Sequence, residues 1–199
     1  MKKMKRAFTL TELLVSLAIL GTIAVFAIPP LMSDIHTKVY LNLLKNMSVT
    51  LEQLAADQML NTRSHNLIDT DFGSADTLLT SRHFAVVNSG NNLLNQEYKS
   101  INSEVIEPSV AGSSILLKNG VMLVYTPVEN NATAAGTFAI DVNGNDGPNV
   151  AGKDLFIFDI TKKGKLVPGT EDTSLATCQG GDPRSCYGYV INNGWKYPN

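Results

Sequence analysis

One apolar segment governs what this chain can become. From Ala7 to Pro30 it reads AFTLTELLVSLAILGTIAVFAIPP, with Glu12 as its only ionisable side chain. It follows MKKMKR, which carries four positive charges and no negative one. Helical rise is about 1.5 Å per residue, so a helix from Phe8 to Ile28 spans roughly 30 Å, the thickness of a bilayer core. Basic residues abutting such a run hold its N-terminus in the cytoplasm and send the rest of the chain outside. The expectation is a single-pass membrane segment bearing an external head. The size agrees, since 199 residues with 44% apolar content make one compact domain plus an appendage, not two full domains.

A secretory signal cut after Ala27 is the main competitor, with Val25 and Ala27 as the small residues before the cut. It would release a soluble, β-rich binding protein. Two features oppose it: the run is longer than a usual signal core, and Glu12 lies near its cytoplasmic end. A carboxylate in a spanning helix costs about 2.5–3.5 kcal/mol at the centre and less near an interface. A signal sequence gains nothing from that charge.

The residues that give Glu12 a purpose are Ala7-Phe8-Thr9-Leu10-Thr11-Glu12. A short basic leader, a small residue and Phe-Thr-Leu-x-Glu opening an apolar helix resemble the prepilin processing site of type IV pilins and type II secretion pseudopilins. The resemblance covers about the first thirty residues. It implies a membrane peptidase that cuts between Ala7 and Phe8 and methylates the new Phe8 amine; the commoner residue before the cut is Gly. It also implies that the Glu12 carboxylate meets the N-terminal amine of a neighbouring subunit and so sets the stagger between subunits. A buried charge is tolerable when paired, which suits that role. Pro29 and Pro30 sit where such helices often carry a proline that kinks or melts them. Loss of Lys2, Lys3, Lys5 and Arg6 leaves twelve basic against eighteen acidic residues, a net −6 on the mature chain.

Beyond Pro30, helical spacing continues to about residue 60. Tyr40, Leu43, Leu44, Met47, Leu51, Leu54 and Ala55 form one stripe, with Lys38, Lys45, Glu52 and Asp57 facing away. Residues 61–112 are rich in Asn, Ser, Thr and Asp, with short apolar pieces such as Phe84-Ala85-Val86-Val87, and read as a loop-dominated connection with room for one short helix and one short strand. The period then changes. Ser114–Lys118 and Val121–Tyr125 flank Asn119-Gly120, the pattern of a hairpin whose turn residues take positive φ. Strands follow over 136–140 and 154–160, and Lys163-Gly164-Lys165 turns the chain into Leu166-Val167. The fold class is α+β: a long N-terminal helix, transmembrane in its first half, packed on a small antiparallel sheet over about 113–167. That layout is also the one the pilin resemblance implies. The division is leader 1–7, membrane and filament-core helix 8–30, amphipathic continuation 31–60, and head 61–199 with a C-terminal disulfide-loop region.

Cys178 and Cys186 bound CQGGDPRSC, a short Gly- and Pro-containing loop able to close a bridge in an oxidising compartment. The resemblance implies a surface-exposed cysteine loop. The aromatic-rich tail from Tyr187 to Tyr197 reads as a strand packed on the head. Asp141, Asn143, Asn145, Asp146 and Asp154 place oxygen side chains near glycines, a pattern that starts like a Ca²⁺ loop. It lacks a closing Glu, has Asp146 where the usual glycine stands, and is equally the chemistry of tight turns. The cofactor expectation is therefore none, with Ca²⁺ as the alternative.

His36, His65 and His83 share no metal-ligand spacing, and the chain has no nucleophile elbow, phosphate loop or dinucleotide fingerprint, so no enzyme is expected. A balance of 16 basic against 18 acidic residues excludes nucleic-acid binding by bulk charge, and a DNA-uptake minor pilin would need a local basic patch. The resemblance implies these partners: the inner membrane before assembly, like subunits or other pilins, the prepilin peptidase and an assembly platform. The final location it implies is a pilus or pseudopilus in the periplasm or at the cell surface.

Overall fold

A computed structural model describes residues 9–80, 82–91, 93–94, 96–108, 110, 112–144, 146–147 and 149–196, the side chains of 28–34 excepted. The chain divides into two compact units, Met1–Val39 and Tyr40–Asn199. Helix α1 (Leu10–Thr62) contributes to both. In the first unit its window Leu10–Ala27 has mean hydropathy 2.1 with none of it buried, long and apolar enough to cross a membrane. The second unit starts inside the helix, at Tyr40, which makes the 41–62 stretch part of the head's own core.

The head is built on a six-stranded antiparallel sheet in the order β1-β4-β5-β6-β7-β8. Its members are β1 (Val86–Asn91), β4 (Ser113–Leu117), β5 (Met122–Pro127), β6 (Ala134–Asp141), β7 (Leu155–Thr161) and β8 (Leu166–Val167). Asn119-Gly120 makes the β4–β5 turn, with Gly120 at φ +85°. Two further strands, β2 (Tyr98–Lys99) and β3 (Val105–Ile106), pair only with each other. The connection 61–112 is thus more structured than its polar composition suggests. It holds 3₁₀ turns at Leu67–Asp69 and Asp71–Gly73, helix α2 (Ala75–Thr80) and three strands, and it extends the sheet to Val86.

Pleating sends alternate residues to two apolar layers. Leu123 and Tyr125, Phe138 and Ile140, and Phe156, Phe158 and Ile160 face α1, where Leu41, Leu44, Met47, Leu51 and Ala55 are buried. Met122, Val124, Ala139, Leu155 and Ile157 point the other way and are covered by Leu94, Tyr98, Ile106 and Val110. Both faces being covered explains why β5, β6 and β7 are buried nearly throughout rather than at every second residue.

Glu52 departs from the expected outward stripe. Its Oε1 accepts the Leu166 N–H at 3.1 Å and its Oε2 lies 3.5 Å from Lys165 Nζ, so it ties α1 to the β7–β8 turn. The larger departure is at the C-terminus, where helix α3 (Leu175–Gln179) is followed by α4 (Pro183–Asn192), a helix where a strand from Tyr187 was expected. Asp182 caps α4, accepting the Arg184 and Ser185 N–H groups, with Pro183 at the start of the helix where its missing N–H costs nothing. Tyr187 then stacks on Phe158, ring centroids 4.2 Å apart, and donates to Ser48 Oγ on α1 at 3.3 Å.

Candidate assembly site and the loops of the head

The polar start of α1 is organised by its own sequence. Thr9 and Glu12 form a capping box. The Thr9 N–H donates to Glu12 Oε2 at 2.9 Å, and the Glu12 N–H donates to Thr9 Oγ1 at 3.2 Å. The Thr9 hydroxyl also donates to Oε2, at 2.8 Å. Among the described residues, Oε1 has no donor. From Leu10 to Ala27 the helix surrounds this carboxylate with exposed apolar side chains, including Leu13, Leu14, Leu17, Leu20 and Phe26. An exposed apolar surface of this kind needs lipid or another protein around it. Ala7 and Phe8 lie outside the described residues. Pro29 and Pro30 lie within α1, whose backbone is helical on both sides of them.

The Asp/Asn-rich loop between β6 and β7 clasps the segment that carries β2. Asp141 is fully buried; its Oδ2 accepts the Tyr98 hydroxyl at 2.5 Å, and its Oδ1 accepts the N–H groups of Asn143 and Gly144 at 3.1 and 2.8 Å. Asp154 Oδ1 accepts the N–H groups of Val150 and Leu155 at 2.7 and 2.9 Å. Backbone bonds then join the loop to β2, from Lys99 N–H to Asn149 O at 2.9 Å and from Ala151 N–H to Lys99 O at 2.8 Å. Asn149 Nδ2 adds a bond to Gln96 Oε1 at 2.7 Å, and Asn143 Nδ2 donates to the Asp146 carbonyl.

Burial, followed by the charge of Asp141, pushes the Asp154 carboxyl up to about 7. Burial also raises Asp141, against the opposing bonds from Tyr98, Asn143 and Gly144. Tyr98 is held far above its ordinary value by burial, with the Asp141 charge adding to it.

Four of the five candidate calcium ligands therefore border one loop, and Asn145 lies outside the described residues. Asn143 Oδ1 and Asn149 Oδ1 are buried without a donor among those residues. Yet no three His, Cys, Asp or Glu groups among the described residues are placed to hold one ion. Ca²⁺ takes six to eight oxygens, typically, whereas Asp141 and Asp154 here accept a tyrosine hydroxyl and four backbone amides.

Cys178 and Cys186 are bonded to each other, with Cα atoms 4.5 Å apart, and join α3 to α4. Both are fully buried, and of the residues between them Gly180 is exposed while Gly181, Pro183 and Ser185 are buried, so the loop is less exposed than the resemblance implied. The clasp loop rests on this bridge: Gly152, at φ +82°, lies so close to Cys186 Sγ that a Cβ there would overlap it. His83 Nε2 lies 2.8 Å from Gln58 Nε2 and 3.4 Å from Asp71 Oδ2, a link between α1 and the 3₁₀ turn.

Two signals went unused in reading the sequence. Thr9-Leu-Thr-Glu12 has the T-x-x-E spacing of a capping box, and Asp182-Pro183 has the cap-then-proline order of a helix start. Nothing local marks Tyr98 as the partner of Asp141, forty-three residues away.

An exposed apolar helix with one carboxylate in its first turn, joined to an α+β head of antiparallel strands, is the pilin-like layout. The chain carries the prokaryotic N-terminal methylation motif over residues 2–28, the signature of type IV pilins and pseudopilins. The match describes the N-terminus alone. No curated protein and no solved structure matches the chain.

Proposed function

We propose that this chain is a prepilin-like precursor whose mature form is a structural subunit of an extracytoplasmic filament of the type IV pilus or type II secretion kind. The observation that carries this reading is the methylation motif over residues 2–28, with Glu12 near the start of an apolar stretch, Leu10–Ala27, of which nothing is buried. The leader directs processing, with the cut between Ala7 and Phe8 and methylation of the Phe8 amine. Before assembly the helix is stored in the inner membrane, where lipid covers Leu10–Ala27. In the filament the same apolar surface packs against other subunits, and the Glu12 carboxylate meets a neighbour's amine. Pairing offsets the cost of keeping that charge in a nonpolar surrounding and favours one stagger over its neighbours. The role is structural, and prepilin peptidase, other subunits and an assembly platform supply processing and energy.

Intact mass and the N-terminal peptide of protein from its native membrane test this. The expected N-terminus is N-methylated Phe8. A chain that starts at Ile28, or keeps its leader in a mature filament, overturns the proposal.

A further inference from the structure

The connection between β5 and β6 carries a motif that the filament role does not use. The chain has two Asn-x-Ser/Thr triplets, Asn46-Met47-Ser48 and Asn131-Ala132-Thr133, the acceptor pattern of N-linked glycosylation. The fold places them in different surroundings. Asn46 lies within α1, and Ser48 is buried there with its Oγ accepting the Tyr187 hydroxyl. Asn131 lies on a hairpin tip, closed where the Val128 N–H donates to the Ala135 carbonyl at 3.0 Å. Beyond that bond every residue from Glu129 to Thr133 is exposed.

The Asn131 side chain folds this tip into an Asx turn. Its Oδ1 accepts the Thr133 and Ala134 N–H groups, each at 2.9 Å, and the Thr133 hydroxyl at 3.3 Å. Three donors thus occupy the carbonyl oxygen, while Nδ2 makes no hydrogen bond among the described residues. We propose that Asn131 is an acceptor for N-linked glycosylation, recognised by a membrane-bound oligosaccharyltransferase through the Thr133 hydroxyl and the Glu129 carboxylate. This rests on the reading above only in needing the head outside the cytoplasmic membrane, where lipid-linked oligosaccharides meet exported chains.

A transferase has to reach the acceptor nitrogen together with the hydroxyl two residues on. Asn131 and Thr133 satisfy this because their side chains touch on an exposed tip. Glu129 stands two residues to the other side and adds a charged contact that fixes the direction of the segment. Asn46 does not satisfy it, since the helix and the Tyr187 contact would have to be given up before the Ser48 hydroxyl could be approached. A glycan is bulky and hydrated, and on an exposed turn it displaces no packing. The transfer is a displacement. Asn131 Nδ2 forms a bond to the anomeric carbon of the first sugar, the bond from that carbon to the lipid diphosphate breaks, and the diphosphate leaves with the electron pair. The nitrogen gives up one proton to the transferase, and nothing is oxidised or reduced.

The full chain from its native membrane is read by intact mass, and its peptides by electron-transfer fragmentation, which keeps a sugar on its residue. Wild type should exceed the mass of the processed chain by a sum of monosaccharide residues, all of it on Asn131 and none on Asn46. The excess should vanish in Asn131→Gln and Thr133→Val, persist in Thr133→Ser and Asn46→Gln, and fall in Glu129→Gln. Thr133→Val keeps the N–H that donates to Oδ1, so its melting curve should stay near that of unglycosylated Asn131→Gln or above it, which separates lost recognition from lost folding.

Wild type without the excess, an excess on another residue, or one that survives Thr133→Val overturns the proposal. Full occupancy in Glu129→Gln overturns the role of that carboxylate. The same spectra separate this inference from the filament reading. A methylated Phe8 with an unmodified Asn131 defeats this inference alone, whereas a glycosylated Asn131 on a chain that starts at Ile28 defeats the filament reading and leaves this one standing.

Discussion

Gly152→Ala probes the contact between the clasp loop and the disulfide, and its cost separates into two parts. At φ +82° the new Cβ meets the left-handed backbone penalty, about 1–2 kcal/mol. It would also overlap Cys186 Sγ and stand 3.0 Å from Cys186 Cβ and 3.3 Å from Cys178 Sγ, against a bridge with no exposed surface into which to retreat. Overpacking of that kind costs about 1–3 kcal/mol. Gly120→Ala is the control: its φ is +85°, and a Cβ there meets nothing within 4 Å. It carries the backbone penalty alone, so the difference between the two variants isolates the steric part.

At about 2–4 °C per kcal/mol for a domain of this size, Gly152→Ala should melt roughly 2–12 °C below Gly120→Ala. Trp195, the chain's single tryptophan, lies 6.4 Å from the Tyr187 ring and reports the transition by fluorescence of the full chain in detergent. Equal melting temperatures for the two variants would refute the packing of loop on disulfide.

The clasp also makes head stability depend on pH. Asp154 ionises near pH 4 when unfolded but keeps its proton in the head to about 7, so the folded state binds more protons across that interval and stability declines as pH rises through it, by up to about 4 kcal/mol, then levels off. Melting curves should show that slope, and Asp154→Asn should flatten it. Tyr98→Phe leaves the buried Asp141 Oδ2 without its donor and should cost about 1–3 kcal/mol in denaturant unfolding, with m unchanged. Added calcium or chelator should leave the melting curve in place, and a rise with calcium would show that Asn145 completes a site with the loop's oxygens. Glu12→Val should still insert in the membrane but fail to enter filaments, and a normal filament yield would end the register argument.

The parts of this molecule legible beforehand are those in which a few neighbouring residues settle the outcome. The apolar run after MKKMKR, the Asn119-Gly120 hairpin and the stripe from Tyr40 to Ala55 depend on spacing within one element. The C-terminal helices had a local signal as well, at Asp182-Pro183, but the aromatic residues from Tyr187 onward resemble those of a strand. Their burial against Phe158 and Ser48 is what the helix satisfies.

The loop from Asp141 to Asp154 was ambiguous for a stronger reason. Oxygen-rich turns suit cations and backbone amides equally; the amides of Asn143 and Gly144 that Asp141 accepts are local, whereas the Tyr98 hydroxyl on its other oxygen arrives only with β2. In the same way, Met122, Val124 and Ile157 could face water in a two-layer fold, and the covering 93–110 segment makes that second face a core. Membrane segment, processing motif and hairpin follow from local sequence because hydration, charge and backbone sterics act over one or two turns. Which faces are buried, which carboxylate keeps a proton and which loop rests on the disulfide belong to the tertiary structure, because each depends on desolvation by residues far away in the chain.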